Sequence, residues 1–282
     1  MSPRVHVSCG FLGAQKLLEL LPAIERLGFD GVTLPDHVFL PEAEGGRYPY
    51  SADGRPPFRP TTPWPDQLVL AGAIGARTTR LSVTTAVLVL PARHPLLVAK
   101  AAATAALLCG GRLTLGIGAG WQREEFDALG VDFRRRGALM DEAIGALRAL
   151  WTPGSVTHDG PAYRFGPLLM EPKPPAVPIV VGGASDAALR RAVTLGDGWF
   201  LPSQPLDDVP EQLGRVRRAL DQAGRDPAGF RVFVPCLGVG RERIAALDDP
   251  LVSDVVVMPW AHPGKVDQTT AERLEALEAW VA

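Results

Sequence analysis

The chain has 282 residues, of which 46% are hydrophobic and 21% charged, which is the composition of a globular protein and excludes a disordered one. Its formal net charge is −2, and no segment concentrates Lys and Arg as a protein that follows a phosphate backbone would. No apolar run reaches the about 18 residues of a membrane-spanning helix, and the N-terminal MSPRVHVSCG does not resemble a signal peptide. We therefore expect a cytoplasmic protein without a nucleic-acid or membrane partner.

The cysteines and the absent motifs narrow the functional classes further. Cys9, Cys109 and Cys236 are an odd number, lie far apart and lack metal-ligand spacing, so we predict buried thiols in a reducing compartment. No disulfide framework or metal site is implied. The sequence also lacks a GxSxG elbow, an HExxH motif and a Walker loop, which disfavours hydrolase and metalloenzyme classes.

Short β-branched or apolar runs alternate with helical patterns along the whole chain. The runs predicted as strands are 5–9, 31–34, 81–87, 112–118, 178–183, 198–201, 231–235 and 254–259. The segments predicted as helices are 14–27, 65–77, 96–108, 135–151, 185–195, 207–223, 241–248 and 268–281. Eight strand-helix units with continuous apolar strands predict an α/β fold, a (β/α)8 TIM barrel formed by a single domain over residues 1–282. A doubly wound sheet is the alternative, although the GxGxxG turn that such sheets often carry near the first strand is absent.

Two segments are longer than the usual connections of a barrel. Residues 38–64, after the second strand, are rich in Pro and Gly, and residues 152–177, before the fifth strand, have room for a small hairpin. Because barrel enzymes keep their chemistry on the loops that follow the strands, the 38–64 loop is a candidate substrate lid. A Pro-rich surface excursion fits its length equally well.

Polar and small residues follow the ends of several predicted strands. The stretch GFDGVTLPDH ends on Asp36 and His37, where a carboxylate beside an imidazole would fix one tautomer or hydrogen-bond a polar heterocycle. A turn Asp followed by an incidental loop His is the alternative. In GIGAGW, Gly118 to Gly120 leave space for a flat ring and Trp121 would wall a pocket, unless the glycines only serve close packing.

The stretch VVGGASDAALRRAV at 180–193 has the pattern of a phosphate-binding turn. A strand runs into Gly182 and Gly183, followed by Ser185 as a candidate helix cap and then by a helical pattern. Backbone N–H groups of such a turn, together with the helix dipole, bind anions. A tight turn with a helix cap and no ligand is the simpler interpretation of the Gly-Gly pair alone.

In combination these stretches resemble the luciferase-like monooxygenase superfamily, and most of all its subgroup of F-420-dependent, deazaflavin-using oxidoreductases. The resemblance rests on GFDGVTLPDH, TTPWPDQLVLAGAIGARTTRLSVTTAVLVLPARHPLLVAKAAAT, GGRLTLGIGAGWQREEFDALGVDFRRRGALMDEAIGALRALW, VPIVVGGASDAALRRA and GDGWF, which occur in this order. It covers roughly residues 5–201, with a weaker match through DVVVMP. The resemblance implies a (β/α)8 barrel that holds a flavin or deazaflavin in its mouth.

The resemblance also assigns residues to the cofactor: Asp36, His37, Thr85, Ala86, Val87, Ala119, Gly120, Gly182, Gly183 and Ser185. It places Asp36 and His37 against the polar side of the ring system and the last three residues on the phosphate. Thr85 to Val87 match a segment that supports the ring, in which relatives carry a non-proline cis peptide. We therefore expect a cis bond between Ala86 and Val87.

Four positions depart from the pattern of relatives. Where relatives read ATLDxLSGGR, this chain has ATAALLCGGR, with Ala106 for Asp and Cys109 for Ser, and we expect altered packing behind the strand rather than lost chemistry. Related glucose-6-phosphate dehydrogenases carry Glu at the position of Trp121 and Trp at that of Pro41. We therefore do not expect oxidation of a sugar phosphate.

The leading hypothesis from the sequence is an oxidoreductase that moves a hydride between the deazaflavin coenzyme F-420 and a small organic substrate under the 38–64 loop. His37 would donate a proton or orient the ring, and Trp121 would line the substrate pocket. The alternatives are an FMN-dependent monooxygenase that uses dioxygen and a non-catalytic flavin-binding barrel. Dimers are frequent in the family, which allows a homodimer, and the Ala- and Arg-rich helices hint at an actinobacterial source.

Overall fold

A computed structural model describes residues 2–42, 48–51, 53–261 and 268–282. Its strands, in chain order, are β1 (Arg4–Ser8), β2 (Gly31–Leu34), β3 (Ser82–Thr85), β4 (Leu88–Val89), β5 (Leu113–Gly118), β6 (Val156–Asp159), β7 (Arg164–Leu168), β8 (Ile179–Gly182), β9 (Gly198–Phe200), β10 (Arg231–Pro235) and β11 (Asp254–Val257). Its α-helices are α1 (Ala14–Arg26), α2 (Gln67–Arg77), α3 (Pro95–Leu108), α4 (Arg123–Ala128), α5 (Arg136–Trp151), α6 (Asp186–Leu195), α7 (Val209–Gln222), α8 (Arg241–Ala245) and α9 (Thr270–Val281).

The eight predicted strands pair in a closed ring, in the order β1, β2, β3, β5, β8, β9, β10, β11 and back to β1. Every one of these pairs is parallel. The fold is therefore the predicted (β/α)8 barrel, and the doubly wound alternative is wrong. The chain adds β4, which extends the wall beside β5, and α4, neither of which was predicted.

The ring of helices buries its apolar faces against the barrel. The main core lies between the two layers and includes Leu20, Ile24, Ala102 and Trp199, all without solvent exposure. A smaller cluster around Phe233 fills the barrel itself, where the Phe200 and Phe233 rings stack. Within the described residues no helix combines the length and apolar character that crossing a bilayer requires.

The two long connections have different structures. The one before β8 contains the antiparallel hairpin of β6 and β7 that the sequence allowed. The loop at 38–64 forms turns and bends without a helix or strand where it is described, and its positions 43–47 and 52 lie outside the described residues. Whether this loop closes as a lid stays a prediction.

A polar cluster closes the N-terminal end of the barrel. The Asp254 carboxylate accepts hydrogen bonds from His6 Nε2 at 2.7 Å, Arg231 Nη2 at 2.9 Å and Ser253 Oγ at 2.6 Å. Arg4 adds an ion pair at 3.1 Å. We expect this charge cluster to serve stability rather than catalysis, because the chemistry of such folds lies at the opposite end of the barrel.

Candidate functional site

The predicted site residues come together at the C-terminal mouth of the barrel, because all the barrel strands run in the same direction. His37 follows β2, Ala86 and Val87 follow β3, Ala119 follows β5, and Gly183 follows β8. The last four of these positions are half-buried, and their side chains are small or absent. The mouth therefore presents a surface of small apolar groups on which a flat ring would fit.

The peptide bond between Ala86 and Val87 is cis, as expected. The Val87 side chain that follows it sits between two glycines on neighbouring strands. A Cβ atom at Gly118 would lie 2.6 Å from Val87 Cγ2, and one at Gly182 would lie 2.8 Å from Val87 Cγ1. Both distances are too short for a real contact, so any larger residue at either position would clash with the Val87 side chain.

Asp36 and Thr85 direct their polar atoms into the protein. Arg93 binds the Asp36 carboxylate through two guanidinium nitrogens, at 2.6 and 2.8 Å, and the backbone N–H of Val89 donates to it at 2.9 Å. Thr85 Oγ1 donates to the carbonyl of Gly116 at 2.6 Å. Both side chains thus brace the segment that carries the cis bond.

His37 forms a buried pair with Glu125, a residue that was not among the predicted site residues. Its Nδ1 lies 3.2 Å from Glu125 Oε2, and both side chains are almost fully buried. The other carboxylate oxygen of Glu125 accepts from the N–H of Val38 at 2.6 Å, while Gln122 Nε2 donates to the carbonyl of Phe39 at 2.9 Å. The short helix α4 and the residue before it thus hold His37 and the start of the 38–64 loop in place.

Three aromatic rings surround the His37 imidazole. The centroid distances are 4.7 Å to Trp64, 5.6 Å to Phe58 and 5.6 Å to Trp121, with interplanar angles of 74°, 53° and 83°. Phe58 and Trp64 belong to the 38–64 loop, which therefore packs directly on the candidate catalytic residue. This enclosure limits the access of bulk water to the imidazole.

The predicted phosphate turn has the local geometry of a capped helix start. Ser185 Oγ accepts from the N–H of Ala188 at 3.2 Å, and Gly183 has a φ of +131°, a conformation that favours glycine. The first N–H groups of α6, on Asp186 and Ala187, have no partner within the helix. The Asp186 carboxylate, which is exposed, pairs with Arg215 at 2.6 Å.

The backbone conformation and close packing at position 120, just before Trp121, both require a glycine. Its φ is +82°, and a Cβ atom there would lie 2.7 Å from Val89 Cγ1 and 2.8 Å from the Phe126 ring. This tight turn brings the chain from β5 to α4 and sets Trp121 beside His37.

The remaining sequence predictions concern residues away from the mouth. Ala106, near the end of α3, and Cys109, just after it, are fully buried, and Cys109 Sγ lies 3.3 Å from the carbonyl of Ala71. Both departures thus lie in the packed interior, away from the mouth, and their effect on packing stays a prediction. Cys9 and Cys236 are also buried and free, and burial raises the pKa of the Cys236 thiol to about 12. The three thiols are therefore buried, as the sequence predicted.

The chain belongs to the luciferase-like monooxygenase family, whose family model matches residues 6–279. An uncharacterized protein of Mycobacterium tuberculosis is 37% identical over 242 residues, which are 85% of this chain and 83% of the relative. The F-420-dependent glucose-6-phosphate dehydrogenase of Nakamurella multipartita is 33% identical over 220 residues, which are 76% of this chain and 60% of the relative. Among solved structures, the monooxygenase RslO1 from Streptomyces bottropensis has a TM-score of 0.75 at 22% identity, covering 99% of this chain and 97% of that one.

Proposed function

We propose that this chain is an oxidoreductase that transfers a hydride between the deazaflavin coenzyme F-420 and a small organic substrate. The observation that carries the proposal is the buried pair of His37 and Glu125, because it places a proton-exchanging group beside the small apolar surface of the barrel mouth. The 33% identity to an F-420-dependent dehydrogenase supports the choice of coenzyme. The chain lacks the Glu that related sugar-phosphate enzymes carry at the position of Trp121, so we propose a different substrate.

The coenzyme would be held in two parts. Ala86, Val87, Ala119 and Gly120 would support the flat ring, and Asp36 and Thr85 would brace that surface from behind. The turn of Gly182, Gly183 and Ser185 would direct the free N–H groups at the start of α6 towards the phosphate. The Asp186 carboxylate does not oppose this arrangement, because it is exposed and paired with Arg215.

We propose Nε2 as the atom of His37 that exchanges a proton. In the arrangement we propose, Glu125 Oε2 accepts from Nδ1, which leaves Nε2 for the substrate. When bound, the deazaflavin supplies or accepts the hydride at its carbon 5. The surrounding rings would exclude water, and the hydrogen bond from the N–H of Val38 to Glu125 would keep the imidazole oriented during the reaction.

An FMN-dependent monooxygenase is the second candidate, and the family itself favours it. FMN also has a flat ring system and a phosphate, so the same surfaces would bind it. The deazaflavin has carbon in place of nitrogen at position 5 and does not support oxygen insertion. The chemistry, rather than the site, therefore separates these candidates, and a non-catalytic flavin-binding barrel would show neither activity.

Deuterium transfer tests the proposed reaction. Reduced F-420 labelled with deuterium at carbon 5 is incubated with the protein and a panel of uncharged ketones and enones, and products are analysed by mass spectrometry. We expect one deuterium on carbon in at least one product, with the His37→Ala variant as the control that loses it. Oxygen-dependent turnover with reduced FMN and no deuterium transfer from F-420 would instead establish the monooxygenase.

We also propose that the chain forms a homodimer through α2 and α3. Large apolar side chains are exposed on these helices: Val69 and Leu97 at 73% and 71%, and Leu108 at 52%. All three line a groove of about 730 Å³ between the two helices. Exposed apolar surface of this kind marks association sites. Light scattering should give a dimer mass for the wild type and a monomer mass for Leu97→Glu, and a wild-type monomer would contradict the assignment.

A further inference from the structure

Five aromatic residues form a continuous cluster around His37 at the barrel mouth, which we call the aromatic box: Phe11, Tyr48, Phe58, Trp64 and Trp121. Besides the contacts with His37, ring centroids are 5.1 Å apart for Phe58 and Trp64, 5.2 Å for Tyr48 and Trp121, and 5.8 Å for Phe11 and Phe58. The rings come from the loops after β1, β2 and β5, so three separate segments of the chain build the box.

The box offers apolar contact surface with no charged group directed into it from its own members. Burial, together with the nearby Tyr50, raises the pKa of the Tyr48 hydroxyl to about 12, so this ring is neutral. Of the charged groups around it, Glu125 is held by His37 and Val38, and Arg93 by Asp36. Among the described residues, these charged groups are already engaged with the protein, which disfavours a phosphate or carboxylate on the substrate.

Two features of the box are costly for rings that only pack a loop. Phe11 has a φ of +64°, a conformation that costs a bulky residue about 1 kcal/mol or more. The indole N–H of Trp64 is buried and has no hydrogen-bond partner among the described residues. A buried donor without a partner costs about 1 to 3 kcal/mol, which an accepting atom on a ligand would recover.

We propose that the aromatic box binds the planar apolar body of an uncharged substrate and that Trp64 donates its indole N–H to a single oxygen on that substrate. Aryl or cyclic ketones, enones and the corresponding alcohols have this chemistry, whereas sugar phosphates and carboxylates do not. Trp64 and His37 are adjacent, so the oxygen that Trp64 holds lies within reach of the imidazole. The inference rests on the proposed function, because it assigns the substrate of that same site.

Binding of matched naphthalenes tests this assignment by calorimetry. Methyl 2-naphthyl ketone carries the accepting oxygen, 2-ethylnaphthalene lacks it, and 2-naphthoate replaces it with a charge. We expect the wild type to bind the ketone about 2- to 13-fold more tightly than the hydrocarbon, which is the range of one neutral hydrogen bond, and the naphthoate more weakly than either. Equal affinity for ketone and hydrocarbon, or preference for the naphthoate, would overturn the inference.

The Trp64→Phe variant separates the N–H group from the ring. It should lose the preference for ketone over hydrocarbon and keep the affinity for the hydrocarbon within about 3-fold. Trp151→Phe is the matched control, because the Trp151 indole donates to the carbonyl of Ala99 at 3.1 Å on the side of the barrel and lies outside the box. If the rings only pack the loop, Trp64→Phe will change the melting temperature but leave the ketone preference intact.

Failure of this inference is distinguishable from failure of the proposed function. The same protein samples are titrated with F-420, whose proposed binding residues do not include members of the aromatic box. Binding of F-420 without the ketone preference would overturn only the substrate assignment. Absence of F-420 binding together with a retained ketone preference would instead overturn the assignment of F-420 as the coenzyme.

Discussion

Replacing Asp254 with Asn tests the account of the barrel's N-terminal end. The Asp254 carboxylate has no solvent exposure and is bound by His6, Arg231, Arg4 and Ser253. Asn keeps the shape of the side chain but removes the charge that compensates the largely buried Arg231 guanidinium. Removing one partner of a buried ion pair costs about 3 to 5 kcal/mol, because the other charge stays buried.

The loss should appear directly in thermal and urea unfolding. For a chain of this size, about 3 to 5 kcal/mol corresponds to a decrease in the melting temperature of roughly 5 to 8 °C. Asp159→Asn is the control, because Asp159 and Arg164 form an ion pair on the surface, where such pairs contribute about 0 to 1 kcal/mol. A destabilisation of Asp254→Asn no larger than that of the control would refute the reasoning.

The destabilisation caused by Asp254→Asn should depend on pH. Burial would raise the pKa of Asp254, but hydrogen bonds from His6 and Arg231 outweigh it and hold the pKa well below its usual value. The unfolded chain has the ordinary pKa of about 3.9, so the carboxylate stabilises the fold above that pH and loses this contribution as pH falls towards the folded-state pKa. The difference in unfolding free energy between wild type and Asp254→Asn should therefore shrink below about pH 4.

Three further changes address the mouth of the barrel. His37→Ala should lower turnover by about 10²- to 10⁴-fold with little change in F-420 affinity. Unchanged turnover in steady-state assays would contradict a role of His37 in proton transfer. Glu125→Gln should lower kcat by on the order of 10- to 100-fold, because the charged hydrogen bond that fixes the imidazole is lost; a change under about 3-fold would make Glu125 only a packing residue. Gly183→Asp should abolish F-420 binding in a fluorescence titration, because its carboxylate opposes the phosphate, whereas the uncharged Gly183→Asn should keep measurable binding. Equal loss in both would point to the backbone geometry at Gly183.

The barrel and its mouth were predictable because they follow from local patterns. Continuous apolar strands, helical periodicity between them and glycines after the strands are each visible in a few consecutive residues. The cis bond between Ala86 and Val87 was predictable only through the resemblance. The sequence could not show why Gly118 and Gly182 must be glycines, because that depends on which strands flank Val87 once the barrel has closed.

Side-chain pairs between residues that are far apart in the sequence could not be predicted from it. Glu124 and Glu125 are identical neighbours in the sequence, and only the packing of α4 decides that Glu125 is the one that meets His37. Asp36 and Arg93 are likewise separated by 57 positions. The sequence analysis named only Trp121 for the substrate pocket, because rings from three loops converge only in the folded chain.

The most direct test of the central claim is a side-by-side titration of the purified protein with F-420 and with FMN, following cofactor fluorescence at matched ionic strength. We expect binding of F-420 at micromolar concentration or tighter, weaker binding of FMN, and loss of F-420 binding in Gly183→Asp. Preference for FMN would contradict the hydride-transfer account and move the chain to oxygen-dependent chemistry. Binding of neither would remove the cofactor site from the turn of Gly182 and Gly183.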